Sequence, residues 1–362
     1  MKVLVTGAEG YIGVVLASAL LTRGHDVVGL DTGFYRDGWL YQDGRLRRPR
    51  CLARDLRRLA PEDVRGYDAV VHLAELSNDP LGQLHPHITH DINHRGSVRL
   101  ARLCREQAVS RFVYTSSCSV YGVAADGPRT EACALSPQTA YAQCKALVER
   151  DVSAMAGDDF SPTFLRNATA YGPSPRMRFD LVLNNLAGLA WTTGQISMVS
   201  DGTPWRPLVH VSDICEAIAC TLAAPREAVH NQVFNVGDDR ENYQVREIAE
   251  IVARVFPRCE LKFGGRSADT RSYRVSFEKI RRCLPGFRCR RTALQGALEL
   301  REIFGRVGMT RAVFEHRAFT RLKQLEHLLE TRRLDEHFYW TAPAAPAPPS
   351  APEELACPRP SR

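Results

Sequence analysis

Two short stretches of this 362-residue chain hold side chains whose types and spacing could do chemistry. In "YAQCK", Tyr141 and Lys145 stand at i and i+4, on one face of a helix. A lysine ammonium near a phenol favours the phenolate, which would let Tyr141 take a proton near neutral pH. "TSSCSVYG", residues 115 to 122, begins as a buried strand and ends in small polar groups. Hydroxyls at Thr115, Ser116, Ser117 and Ser119 crowd there around one thiol, Cys118, and the stretch alone leaves open which of them meets a ligand. A Tyr–x–x–x–Lys spacing is a common helical coincidence. It gains meaning from what precedes it.

"VTGAEGYIG" places Gly7, Gly10 and Gly13 three apart, directly after a strand and at the opening of a helix. A pyrophosphate needs that arrangement: a tight turn, a close backbone approach and a helix N-terminus aimed at the charge. Asp31 closes the second strand about 20 residues later, where a carboxylate can bind both hydroxyls of an adenine ribose and repel a 2′-phosphate. NAD is therefore favoured over NADP, with Arg36 the one nearby counter-signal. "ARDLRR" places Asp55 and Leu56 where a carboxylate and an apolar neighbour suit an adenine, and "HLAE" puts the small Ala74 at a strand's carboxyl end.

The elements that must position these groups are legible as an alternation. "KVLVTG", "DVVGLD", "DAVVHLAE" and "RFVYTSS" are strands apolar through most of their length, and helical stretches separate them. That pattern indicates a parallel sheet covered on both faces. "SPQTAYAQCKALVERDVSAMA" is a helix, with Ser136 as its cap and Pro137 in its first turn. The expected fold class is α/β, a Rossmann-type doubly wound parallel sheet with a smaller C-terminal substrate-binding lobe. Residues 1–165 form the NAD-binding domain, with a return at about 205–225. Residues 166–204 and 226–335 form the interleaved lobe, with a late helix over roughly 310–334. The Pro/Ala-rich stretch 341–362 is a disordered tail.

Composition narrows the function. Apolar residues at 44% and charged residues at 25% describe a folded domain with a sizeable core. The formal charge of +7 comes almost wholly from arginine, since only five of 48 basic residues are lysine. These arginines are scattered rather than gathered with aromatics, which argues against nucleic acid and for phosphate contacts. The eleven cysteines include no C-x-x-C pair, so they read as free thiols in a reducing cytoplasm, with no metal site. No apolar run approaches the ~18 residues of a membrane span.

The ordered set "TGAEGYIG", "HLAELS", Asn93 in "DINHRGS", "TSSCSVYG", "YAQCK", "YGP", "NNLAGLA" and "RPLVHVSD" resembles the extended short-chain dehydrogenase/reductases. Within them it resembles the NAD-dependent nucleotide-sugar epimerases and dehydratases, UDP-glucose and UDP-glucuronate 4-epimerases in particular, over residues 1–335. The resemblance implies that Gly7, Gly10, Tyr11, Ile12 and Gly13 bind the NAD pyrophosphate, Asp31 the ribose, and Asp55 with Leu56 the adenine. Leu73, Ala74 and Asn93 would complete the cofactor contacts. Lys145 would hold the nicotinamide ribose and tune Tyr141, which removes a proton from a sugar hydroxyl while NAD takes hydride from the same carbon. Ser117, four residues before Tyr121, matches the hydroxyl partner of that sugar oxygen. Ser77, Ser119, Asn167 and Thr169 would face the substrate, and Asn184, Asn185 and Leu186 would lie along its pyrophosphate and base. Arg206, Arg266 and Arg271 would grip its diphosphate.

The same resemblance separates the reactions. The 4,6-dehydratases carry Asp and Glu immediately after the hydroxyl residue, and the decarboxylases carry Glu at the position of Ser119. This chain has Cys118 and Ser119 there. The 3,5-epimerases use a cysteine two residues before the strand-end tyrosine. Cys118 stands three before Tyr121 and reads as a packed small side chain. What remains is oxidation and reduction at one carbon, as 4-epimerisation requires. One departure is Thr169, where the family frequently has asparagine; Asn167 stands two residues earlier. The expected protein is a cytoplasmic homodimer acting on a nucleotide-diphosphate sugar. A ketoreductase of 4-keto sugars is the alternative enzyme, and a dinucleotide sensor the alternative outside catalysis.

Overall fold

The computed structural model describes residues 1–77, 79–123, 127–198, 200–265 and 271–342. Arg266 and residues 343–362 of the expected tail lie outside them. Six strands in chain order, β1 (Lys2–Thr6), β2 (Asp26–Asp31), β3 (Arg50–Ala53), β4 (Ala69–His72), β5 (Arg111–Ser117) and β6 (Ser161–Asn167), join a seventh, Gln232–Val236, in one sheet. The spatial order is seventh–β6–β5–β4–β1–β2–β3, every pair parallel. The chain steps outward from β1 on one side through β2 and β3, then on the other from β4 onward. The crevice beyond β1 and β4, where the direction reverses, is where such sheets bind ligands.

Both faces are covered because the strands are apolar on both. Leu16, Ala17 and Leu20 of helix Gly13–Thr22 pack with Ile214, Ile218 and Leu222 of helix Val211–Ala223 over Val3, Val5, Val71 and Val113. Leu100, Leu103, Val148 and Val152 cover Leu4, Val70 and Phe112 on the other face. β6 is buried throughout although it carries Arg166, whose guanidinium meets the Glu149 carboxylate at 2.7 Å and Tyr121 Oη at 2.9 Å. Pairing of this kind offsets the cost of burying a cation.

Three boundaries differ from expectation. Gln232–Val236 lies in the large sheet, pairing with β6 in the stretch assigned to the lobe, because its Phe234 and Val236 complete that core. Conversely, Trp205–His210, assigned to the sheet domain, runs in a three-stranded lobe sheet between Thr169–Tyr171 and Asn242–Gln244. The helix of Tyr141 begins at Ala140, not near Ser136. Thr139 is extended and its hydroxyl accepts from Ala142 N at 3.2 Å, while the Gln138 amide donates to the Ser136 carbonyl and holds that residue outside.

The expected late helix is three pieces, Arg311–Glu315, a single turn Arg317–Phe319, and Arg321–Glu330. His316 and Thr320 are extended, and the His316 ring accepts from Ala318 N, so local caps interrupt the run. These pieces bring the C-terminal segment back over the loop after β2. There Gln324 Nε2 donates to the Phe34 carbonyl and Trp340 Nε1 to that of Thr32, at 3.0 and 2.7 Å. Phe34, Leu76, Ile92, Leu325, Leu328 and Phe338 close a small apolar cluster beneath.

Candidate active site

A cavity of about 730 Å³ opens at the carboxyl ends of the central strands. Its floor is the glycine turn. Gly7 has φ +72°, and a Cβ there would stand 2.8 Å from Ala74 N; a Cβ at Gly13 would stand 2.0 Å from the Gly7 carbonyl. No side chain fits at either position, so backbone is exposed to the cavity instead. Asp31 lines the cavity and accepts from Gly33 N at 2.7 Å and Glu9 N at 3.0 Å, while burial raises its carboxyl above the usual range. Asp55, Leu56, Leu73 and Ala74 line the same half, with Asp55 held by a two-pronged pair to Arg57. The cradle, the ribose-side carboxylate and the adenine-side pair fit a dinucleotide.

At the other half, Ser117, Ser119, Tyr141, Lys145, Asn167 and Thr169 share one wall. Ser117 caps the turn Cys118–Tyr121, its oxygen accepting from Ser119 N at 3.2 Å, which leaves its own proton for a ligand. Ser119 Oγ and Asn167 Oδ1 are buried with no hydrogen-bond partner among the described residues. Unpaired polar atoms in a cavity wall are what a polyhydroxyl ligand would satisfy. Cys118 faces away, 1% exposed with its thiol toward the Arg166 carbonyl at 3.2 Å.

Lys145 holds company that the motifs did not announce. Its ammonium lies 2.5 Å from Glu75 Oε2 and donates to the Thr115 carbonyl, 5.4 Å from the centre of the Tyr141 ring. The other Glu75 oxygen accepts from Tyr114 Oη at 2.6 Å. Burial raises the Glu75 carboxyl, and Lys145 and Tyr114 oppose that rise. In "HLAE" the sequence signal for this contact is Glu75, a charged residue that closely follows an apolar strand.

Several expected contacts are placed elsewhere. Asn93 is fully buried and off the cavity wall, its amide exchanging two hydrogen bonds with the Leu76 backbone. It shapes the loop that carries Glu75. Asn184 is buried and accepts from Gly172 N while donating to the Arg178 carbonyl; Asn185 donates to that of Phe179; Leu186 is in the lobe core. Asn184 and Leu186 are on the buried face of helix Val182–Thr193 and Asn185 is half-buried beside them, and none of the three lines the cavity. Tyr11 meets the cavity, yet its hydroxyl points to the Gly172 carbonyl at 2.7 Å. Arg206 and Arg271 line the cavity together, Arg206 donating to the Arg271 carbonyl. Arg178 was missed: it pairs with Asp180 and donates to Ser77 Oγ at 3.1 Å, all three on the cavity wall.

A doubly wound sheet with a dinucleotide cradle and a Ser–Tyr–Lys wall defines a nucleotide-sugar-modifying short-chain dehydrogenase architecture. The chain belongs to the NAD dependent epimerase/dehydratase family, whose profile matches residues 3–237. It is similar to a UDP-glucose 4-epimerase of Corynebacterium glutamicum, 29% identical over 273 residues that cover 70% of this chain and 80% of that protein. A Bacillus subtilis protein described as an uncharacterized UDP-glucose epimerase, YtcB, is 28% identical over 253 residues, 66% of this chain and 77% of its own. Among solved structures, MoeE5 in complex with UDP-glucuronic acid and NAD superimposes with a TM-score of 0.73 at 28% identity, over 84% of this chain and 99% of that one.

Proposed function

We propose that this protein is an NAD-dependent isomerase that inverts C4 of a nucleotide-diphosphate sugar through a 4-keto intermediate. The observation that carries the reading is the wall itself. Ser117, Tyr141 and Lys145 meet on one cavity, while the neighbours of Ser117 are a buried thiol and a hydroxyl rather than an acid–base pair of carboxylates. NAD, when bound, supplies reversible storage of the C4 hydride. Tyr141 takes the C4 hydroxyl proton and later returns it, and Ser117 donates to the same oxygen. Lys145 is held beside Tyr141 by Glu75 and the Thr115 carbonyl. Ser119, Asn167 and Thr169 offer polar partners to a sugar ring that presents either face. Arg206 and Arg271 are placed for the diphosphate, as bidentate guanidinium contacts suit that group. UDP-glucose and UDP-glucuronic acid are the first substrates to try, since the relatives carry those names.

The test is isotopic. A substrate deuterated at C4 yields an epimer of unchanged mass that keeps the label, because hydride leaves and returns within one site. Loss of label to solvent would sink the C4 mechanism. The reading extends to a cytoplasmic homodimer, supported by the family resemblance alone; light scattering of the purified chain decides the dimer.

A further inference from the structure

Arg321 is 5% exposed, lines the cavity, and has neither a hydrogen bond nor a carboxylate within ion-pairing distance among the described residues. Three features make its position unfavourable. It opens helix Arg321–Glu330, where the helix dipole is positive and repels a cation. Its neighbour in charge is Arg178, another guanidinium, whose own carboxylate partner is Asp180. Burial lowers its pKa to about 10, Arg178 adds to the fall, and Tyr35 with the Asp180 and Asp31 carboxylates opposes it only in part. Its one close partner is the Tyr35 ring, 3.7 Å from the guanidinium carbon to the ring centre. Tyr35 also lines the cavity, and its hydroxyl is buried with no partner among the described residues. Two unsatisfied polar groups thus sit stacked on each other at the wall of a ligand cavity. An unpaired buried cation is costly, and the cost falls away when an anion arrives.

We propose that Arg321 and Tyr35 form an anion subsite that closes over the diphosphate of the dinucleotide, with Arg178 beside it. The proposal rests on the reading of the cavity as an NAD site. Placement identifies which diphosphate. Tyr35 is on the loop that leaves β2 just after Asp31, and the C-terminal segment is pinned to that loop through Phe34 and Thr32. Arg178 reaches the adjoining loop after β4 at Ser77. The diphosphate of a dinucleotide whose ribose meets Asp31 passes between those loops. The sugar-nucleotide side, by contrast, is marked by Arg206 and Arg271 on the lobe. Arg321 lies beyond residues 3–237, so the family match does not reach it. The C-terminal segment would then be part of the cofactor site rather than a cover for the core.

Calorimetric titration of the full chain, stripped of dinucleotide, tests this with three probes: ADP-ribose, adenosine and UDP. Arg321→Gln should weaken ADP-ribose at least about tenfold, the scale of a lost hydrogen bond to a charged group, while adenosine and UDP bind as before. Arg321→Lys should recover part of the loss. Tyr35→Phe keeps the stacked ring and removes only the hydroxyl, so it should cost a smaller, few-fold loss and covers the case in which Arg321→Gln does not fold. Unchanged ADP-ribose binding in these variants overturns the proposal, and a loss confined to UDP assigns the subsite to the sugar nucleotide instead. A wild-type chain that fails to bind ADP-ribose would sink the cofactor reading itself, which separates the two failures.

Discussion

Tyr141 and Lys145 act in a field that Glu75 modifies. A carboxylate 2.5 Å from the ammonium offsets part of the charge that would favour the phenolate, and His72, Tyr114, Cys144, Glu149 and Arg178 are among the other titratable groups around this cluster. Glu75→Gln removes that negative charge, so the base form of Tyr141 is reached at lower pH. The acidic limb of the kcat/KM profile should move to lower pH, by up to about three pH units, the size of a unit-charge interaction across about 4 Å at an effective dielectric near 20. A purely structural role for Glu75 would lower the whole profile without moving it. Tyr141→Phe should cost about 10²- to 10⁴-fold in turnover while ADP-ribose binding persists. At this scale the motifs named Ser117, Tyr141 and Lys145 because their spacing is local. Glu75 and Arg321 were not legible, since what matters in each is a contact between elements distant in sequence.

The elements that position these groups depend on a few local devices. Thr139 fixes where the Tyr141 helix starts, and Thr139→Ala should destabilise the chain by about 1 kcal/mol, read as a shift in urea midpoint at constant slope. Gly13→Ala should abolish dinucleotide binding, because its Cβ would stand 2.0 Å from the Gly7 carbonyl and the turn must open to admit it; retained ADP-ribose affinity in that variant would contradict the cradle. The alternation of strand and helix was readable from apolar runs and glycines through β6. It faded where strands became short or partly polar. "QVFNV" enters the large sheet with a buried Asn235, and "NNLAGLA" turns its asparagines inward to Gly172 and Phe179, facts set by packing rather than by period.

For the whole molecule, acidity is the clearest lever on stability. His72 is fully buried between Thr6 Oγ1 and Ser97 Oγ, each at 2.7 Å, and burial with Lys145 nearby lowers its pKa to about 3. The unfolded chain gains that proton near pH 6.5 and the folded chain does not, so stability falls as pH drops below that value. The contribution is up to about 1.4 kcal/mol per pH unit. Chemical denaturation from pH 7.5 to 5 should show that slope, and His72→Gln should flatten it. The architecture of sheet plus lobe was legible from the sequence; the return of residues 311–342 over the cofactor side was not, because no motif marks a docking partner. The central claim is C4 epimerisation, and it meets its most direct test when the purified chain is incubated with UDP-glucose, UDP-glucuronic acid and related sugar nucleotides plus catalytic NAD. Products are then separated by chromatography and weighed by mass spectrometry. The account predicts a product of unchanged mass and new retention time. A product lighter by water or carbon dioxide, or turnover only with a keto sugar and reduced cofactor, would contradict it.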